Sequence, residues 1–285
     1  MSHQNGQPIA LFSDQGDDSN RSIPEATNPG VSTIPSDSTR SSRQPIALIS
    51  VDSDPAIVGK QVASNQSLSV RKVSEALANL GWQVDIFTHK TQPDDATIVQ
   101  HSPYCRTIRL NAGSQTLIPR DELFNCLPEF LEAFQKFQTK EGSNYPLIHT
   151  HSWLSGWVGL QLKSNINIQL VHTHHSLAIP TSPTLKDRLA IEQQILQKAD
   201  CIVAITLQER EQLQSLVTTP EQLKVINIGT EIDSLRLSNL YRRLLAQSIM
   251  DERFWHLPLP SHSETGETLA KRSQVSSAKC LTLAS

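Results

Sequence analysis

The sequence predicts an α/β fold, a single doubly wound parallel-sheet domain of Rossmann-like type, and three observations carry that expectation. From Pro45 onward, short apolar runs alternate with amphipathic stretches, the order expected when strands alternate with helices around a parallel sheet. Helix signals fall between the apolar runs: a glycine stop at Gly81 and a capping-box pair, Thr206 with Glu209. After Glu231 the alternation stops and does not resume, which confines the sheet to one domain over residues 44–232.

Taken in order, "IALIS" (46–50) reads as the first strand. Leu68, Val70, Val73, Leu77 and Leu80 then recur at helical spacing up to Gly81, and "QVDIFTH" (83–89) is the next strand. "CRTIRL" (105–110) is a third. Residues 121–140 carry Leu123, Leu127, Phe130, Leu131, Phe134 and Phe137 on one stripe, which predicts a long core-packed helix with Pro128 as its irregularity. "PLIHTH" (146–151), "IQLVHTHH" (168–175), "CIVAIT" (201–206) and "LKVINIG" (223–229) are four more strands, separated by helices. The stretch 233–257 is an amphipathic helix whose Leu237, Leu240, Leu244, Leu245, Ile249 and Phe254 require an apolar neighbour, and its own sheet is the expected one.

A hydrophobic content of 38% and a charged content of 19% are low for a globular chain of 285 residues, so polar segments must dilute the folded part. The ends supply them: residues 1–43, rich in Ser, Asp, Asn and Pro, read as a disordered leader, and 258–285 as a disordered tail. A net charge of −3 gives no reason to expect nucleic acid or an anionic membrane as partner. Cys105, Cys126, Cys201 and Cys280 form no C-x-x-C pair, which argues against a zinc ribbon or a disulfide framework and suits a reducing cytoplasm. No run approaches the ~20 apolar residues that a membrane helix needs, and a cytoplasmic location is expected.

In an open parallel sheet, ligands sit at the carboxyl ends of the strands. Four segments qualify: "VASNQSLS" (62–69), "HTHSWLSGW" (149–157), "HTHHSL" (172–177) and "GTE" (229–231). The first precedes a helix N-terminus, whose free N–H groups favour a phosphate or carboxylate, yet Ala63, Ser64, Asn65 and Gln66 hold a turn where close backbone approach calls for glycine. The plainer alternative is a cap by Ser64 or Ser67. The five histidines at 149, 151, 172, 174 and 175 are the densest local cluster, and matching parity predicts that His149 and His151 face His172 and His174. Zinc takes three or four ligands, and no nearby carboxylate or thiolate completes a set, so no metal is expected. Trp153 and Trp157 bracket Gly156 and suit either helix packing or a sugar-stacking face.

These segments, in this order, resemble the N-terminal, acceptor-side domain of family 4 retaining glycosyltransferases with the GT-B fold, closest to the cyanobacterial sucrose-phosphate synthase and sucrose synthase branch. The resemblance rests on "IALISVDSDPAIVGK", "SVRKVSEALANLGWQVDIFTH", "LIHTHSWLSGWVGLQLK", "LVHTHHSL", "DRLAIEQQILQKADCIVAITLQE" and "KVINIGTEI". It implies hexosyl transfer from a nucleotide sugar, UDP-glucose or ADP-glucose, to a sugar or sugar phosphate such as fructose 6-phosphate, with no cofactor. By resemblance His175 is the catalytic histidine beside the donor sugar. Gln66, His151, Trp153, Ser176 and Arg188 line the acceptor side, and Ser64 and Asn65 stand where the family's donor-phosphate loop carries Gly-Gly. "AIPTSPTLK" after "HSL" lacks the family's glycine and lysine, and "GTEID" leads directly into the terminal helix where the family has its nucleotide-sugar-binding domain. The expectation is a truncated, degenerate lobe, inactive alone. The alternative is a non-catalytic sugar-phosphate-binding or regulatory module docking on a full-length synthase.

Overall fold

The computed structural model describes residues 43–57, 64–113, 118, 120–175, 185–228 and 230–255. All of them lie in one compact unit. The expected leader up to residue 42 and the expected tail fall outside the described residues. Arg43, the last residue assigned to the leader, belongs to the fold: its guanidinium lies 3.5 Å above the Tyr104 ring and donates to the carbonyl of Ala78.

The strands are β1 (Gln44–Ile49), β2 (Trp82–His89), β3 (Ile98–Ser102), β4 (Cys105–Leu110), β5 (Leu147–His151), β6 (Gln169–Thr173), β7 (Cys201–Ala204) and β8 (Leu223–Val225). They form one 8-stranded sheet in the order β3-β4-β2-β1-β5-β6-β7-β8. Every pairing is parallel except β3 against β4. The antiparallel edge strand β3 was not expected. Its segment IVQHS is half exposed and carries only two aliphatic residues, so it gives no buried-strand signal; it is held by pairing to β4 across the turn at Pro103 and Tyr104.

The helices are α1 (Asn65–Asn79), α2 (Arg120–Leu123), α3 (Leu127–Glu141), α4 (Ser152–Asn165), α5 (Leu185–Lys198), α6 (Leu207–Leu213) and α7 (Glu231–Trp255). The single helix expected over 121–140 is instead the turn α2, a 3-10 turn at Phe124–Cys126, and α3. Pro128 therefore sits in the first turn of α3, where its missing N–H costs nothing, rather than kinking a helix interior. Leu127, Phe130 and Phe134 are buried as the stripe predicts, and Gly142 ends the helix at φ 63°. Thr206 caps α6 by accepting from Glu209 N, while the Glu209 carboxylate accepts from Ile205 N at 2.6 Å.

One face of the sheet is covered by α3, α4 and α5, whose apolar residues join Ala47, Ile49, Ile148, Leu170 and Ile202. The other is covered by α1 and α7. Val70, Val73 and Leu77 of α1 pack over Ile46, Leu48, Val84 and Ile86, while Leu237, Leu240, Tyr241 and Leu244 of α7 close the half over Leu147, Val171 and Val203. Each such aliphatic side chain contributes about 1.5–3 kcal/mol by leaving water, so α7 completes the core from within the chain. Ile249, counted on its apolar stripe, is 53% exposed, and the Phe254 side chain is outside the described residues. Polar contacts fix the register of α7: Trp82 Nε1 donates to Ser238 Oγ at 2.8 Å, and Arg242 donates to Leu80 O at 3.1 Å. A buried ion pair sits under α3, where Asp85 accepts from Arg106 Nε (2.8 Å), Arg106 Nη2 (3.0 Å) and Tyr145 OH (2.6 Å).

Candidate active site at the strand tips

In this strand order the chain leaves β1 toward β2 and leaves β5 toward β6, in opposite directions, so the connections diverge and open a crevice at the carboxyl ends of β1 and β5. The side chains gathered there come from the ends of β1, β5 and β6 and from the first turns of α1 and α4.

At the end of β1, Ser50 Oγ donates to Ser53 O (2.9 Å) and accepts from Gln66 Nε2 (3.3 Å), while Val51 N donates to Ser155 Oγ on α4 (3.0 Å). Asp52 Oδ1 accepts from Ser152 Oγ at 2.9 Å and from Gln66 Nε2 at 3.5 Å. Gln66, expected on the acceptor side, thus stands at the mouth of the crevice, tied to the β1 end. Ser152, the first residue of α4, has φ 68°, and is the one non-glycine residue with positive φ among those described. Side chains rarely adopt that conformation, and such strain gathers at ligand sites. Neither Asp52 nor Ser152 stood out in the sequence, because nothing local betrays a left-handed serine.

The loop into α1 caps itself. Ser64 Oγ accepts from Ser67 N at 3.1 Å, the plainer of the two expected readings, and the Ser53, Ser64 and Ser67 hydroxyls are mutually bonded at 2.6, 2.6 and 2.9 Å. A hydroxyl triangle stands before the helix N-terminus, and Asn65 is the first helical residue behind it.

The histidines do not face one another as parity predicted. In the parallel register His149 pairs with Val171, Thr150 with His172, and His151 with Thr173. His149 and His151 therefore lie on the α7 side, and His172 and His174 on the α4 and α5 side. The offset of one residue between the two H-T-H motifs sends them to opposite faces. On the α7 side the rings form two tiers. In the lower, His149 Nε2 meets Thr173 Oγ1 at 2.7 Å and His149 Nδ1 meets Tyr241 OH. In the upper, at the tips, His151 Nδ1 meets His175 Nε2 at 3.2 Å. The His149 and His151 rings overlap at 4.3 Å between centroids, inclined by 32°. On the opposite side His172 Nδ1 meets Thr150 Oγ1 at 2.9 Å, and its ring passes so close to α4 that a Cβ on Gly156 would lie 3.0 Å from His172 Cε1.

Burial, reinforced by neighbouring rings, holds these imidazoles neutral: His149 falls to about 3, His174 to about 4, and His151 and His172 well below their usual value. His151 Nε2 and both nitrogens of His174 are buried without a hydrogen-bond partner. A buried polar atom left so costs about 1–3 kcal/mol, which a bound group would recover. Among the described residues no group of three or more His, Cys, Asp and Glu has the arrangement of a metal site.

Arg188 on α5 pairs with the buried Glu192 at 2.7 Å, and its guanidinium carbon lies 5.7 Å from the Trp153 ring centroid. Trp153 is stacked on Phe124 (5.5 Å, 26°), and Trp157 meets the same ring edge-on, so both tryptophans pack the α4 helix. Ser176 lies outside the described residues. Gln66, His151, His175, Ser64 and Asn65 are thus gathered on the crevice, with Trp153 and Arg188 flanking it. Among the described residues, two surface hollows, one beside Gln193, Gln197 and Thr218 and one beside Gln44, Gly81 and Arg242, open at the opposite end of the sheet.

Residues 66–229 match the family profile described as a glycosyl transferase 4-like domain. This chain belongs to that family. Among curated relatives of this glycosyl transferase 4-like protein, the D-inositol 3-phosphate glycosyltransferase of Corynebacterium jeikeium is 32% identical over 198 residues, covering 66% of this chain and 47% of the relative. That of Corynebacterium kroppenstedtii is 32% identical over 212 residues, 71% of this chain and 47% of its own. Among solved structures, the sucrose-phosphate synthase of Thermosynechococcus elongatus is 48% identical with a TM-score of 0.60, covering 66% of this chain and 49% of the synthase. A shorter structure of that synthase is 45% identical with a TM-score of 0.59, covering 71% of this chain and 99% of its own length. The glycosyl transferase 4-like chain spans about half the length of the curated relatives it matches. Its sheet and crevice are those of an N-terminal GT-B lobe of glycosyltransferase family 4. Among the described residues no helix is long and apolar enough to cross a membrane.

Proposed function

We propose that this lobe holds the acceptor in a hexosyl transfer from a nucleotide sugar, UDP-glucose or ADP-glucose, to a sugar or sugar phosphate such as fructose 6-phosphate. In the same proposal the 285-residue chain in isolation binds the acceptor but does not turn over at an ordinary enzymatic rate. The observation that supports this best is His151 Nε2, buried and unpartnered beside His175 at the strand tips. Of the His151 and His175 nitrogens that meet at 3.2 Å, one carries the proton and the other the lone pair. Whichever way round, His151 Nε2 is left as either a donor or an acceptor, and a sugar hydroxyl, which is both, satisfies either state. Asp52, oriented by Ser152 and Gln66, offers a second hydroxyl-binding group, and Arg188 is the cation expected to meet an acceptor phosphate.

Geometry supports the proposed lack of turnover by the isolated chain. Positioning donor against acceptor is worth ~7–11 kcal/mol of barrier, and stabilising the departing diphosphate is often the largest single term. Both need a surface facing the strand tips, and the described residues form one sheet and its helices only. The α1 N-terminus, already occupied by the Ser53, Ser64 and Ser67 hydroxyls, is a poor diphosphate cradle. A second reading is a non-catalytic module that docks on a full-length glycosyltransferase. It is favoured by Leu207, Ile232 and Leu235, which are 67%, 74% and 47% exposed just beyond the carboxyl ends of β7 and β8.

Calorimetry of the purified chain against fructose 6-phosphate, UDP and ADP in turn tests the proposal, together with a turnover assay using UDP-glucose or ADP-glucose. Binding of fructose 6-phosphate with little or no heat from the nucleotides is expected. No binding of any of the three, or glycoside formation at ordinary enzymatic speed, overturns it.

A further inference from the structure

The terminal helix α7 does more than cover the sheet, because one of its side chains is bonded to the lower histidine tier. Tyr241 is fully buried, stands edge-on to Trp82 at 5.7 Å, and brings its hydroxyl to His149 Nδ1. A phenol is a better donor than acceptor, so Tyr241 O–H donates to Nδ1 and the His149 proton resides on Nε2, from which it donates to Thr173 Oγ1. The neutral state of His149 that this needs is the one its burial enforces. Fixed at both nitrogens, the His149 ring cannot turn, and its face forms the floor on which the His151 ring lies at 4.3 Å. His151 in turn holds His175 through Nδ1 and leaves Nε2 unpartnered.

We infer that Tyr241 is a positioning residue for the strand-tip pair His151 and His175, acting through His149, so that docking of α7 and ligand affinity at the tips are coupled. Reciprocity follows: a ligand that requires the fixed His151 orientation must stabilise α7 in its docked position to the same degree. The His149 contact distinguishes Tyr241 from its neighbours on α7. Ser238, one turn earlier, accepts from Trp82 Nε1, while Leu237, Leu240 and Leu244 join the apolar core.

The inference about the ligand rests on the proposed acceptor site, but the positioning is readable without any ligand. Tyr241→Phe removes the hydroxyl and keeps the ring, and Ser238→Ala removes the bond from Trp82 Nε1 to α7. In the full chain, long-range nitrogen–proton NMR of the imidazoles reports each tautomer. Expected are a single Nε2–H form of His149 in the unaltered protein, its loss in Tyr241→Phe with accompanying shifts at His151 and His175, and unchanged histidine signals in Ser238→Ala. Affinity for fructose 6-phosphate should weaken about fivefold in Tyr241→Phe and hold in Ser238→Ala. Unshifted His151 and His175 signals in folded Tyr241→Phe overturn the inference, as does an Nδ1–H form of His149 in the unaltered protein. If fructose 6-phosphate binds to neither protein while the signals shift as stated, the acceptor reading fails and the positioning stands.

Discussion

Replacing Ser152 in two ways separates the strain at the crevice from the bond that holds it. Ser152 is 4% exposed, sits at φ 68°, and donates to Asp52 Oδ1 at 2.9 Å. Loss of a hydrogen bond to a carboxylate costs about 1.5–3 kcal/mol. A left-handed non-glycine residue carries about 1–2 kcal/mol of strain, which alanine keeps and glycine relieves. Glycine gives part of that back, about 0.5–1 kcal/mol, through the greater freedom of its unfolded chain. Ser152→Ala should therefore destabilise by about 2 kcal/mol, and Ser152→Gly by only about 1 kcal/mol. Urea unfolding followed by tryptophan fluorescence, with m unchanged, reads both directly. On the proposed function both variants should weaken acceptor binding alike, since each removes the Ser152 bond that helps orient Asp52. If Ser152→Gly is as unstable as Ser152→Ala, the backbone there is unstrained and the reasoning fails.

Other expectations follow from the core and the histidines. His149, His151, His172 and His174 titrate in the native state below the unfolded value near 6.5, so the unfolded chain binds protons that the folded rings refuse. Stability is therefore complete above about pH 6.5 and falls as pH drops toward 4, by up to ~1.4 kcal/mol per pH unit for each ring. A urea midpoint that stays level between pH 7 and 5 contradicts this. Asp85→Ala strands Arg106 and Tyr145 in the core and should cost about 3–5 kcal/mol, partly softened by Glu141, which also meets Arg106 at 3.2 Å. A loss under 1 kcal/mol by urea unfolding would show that water reaches the pair. Ending the chain at residue 233 bares Leu147, Val171 and Val203 and should abolish soluble, cooperatively melting protein; an unchanged melting temperature would mean that α7 is dispensable.

Much of the architecture was legible because burial on both faces leaves a plain mark. IALI, LIH and CIVA are runs that only a covered strand tolerates, and Thr206 with Glu209 announced α6. β3 was hidden because its stability comes from backbone pairing at an edge, where side chains are free to be polar. The break before α3 was hidden because the Leu123–Phe137 stripe continues across it, while Pro128 fits a first turn as well as a kink. At the site, the residue types were visible but their facing was not. Whether His149 meets His172 or Thr173 depends on the β5–β6 register, and that is set by where each strand begins rather than by either motif. Tyr241 lies 92 residues from His149, and an aromatic residue on an apolar helix stripe reads as packing.

The uncharged state of His151 has a consequence for how a ligand is weighed. Neutral imidazoles sense hydroxyl geometry and offer no field to a distant ion, so the part of a ligand seated on His151 is judged by fit and is indifferent to ionic strength. In the proposed acceptor complex a phosphate, by contrast, draws Arg188 from Glu192 and competes with dissolved salt. Sodium chloride thus becomes a ruler that separates the two halves of a sugar phosphate, weakening the anionic half and leaving the ring half untouched.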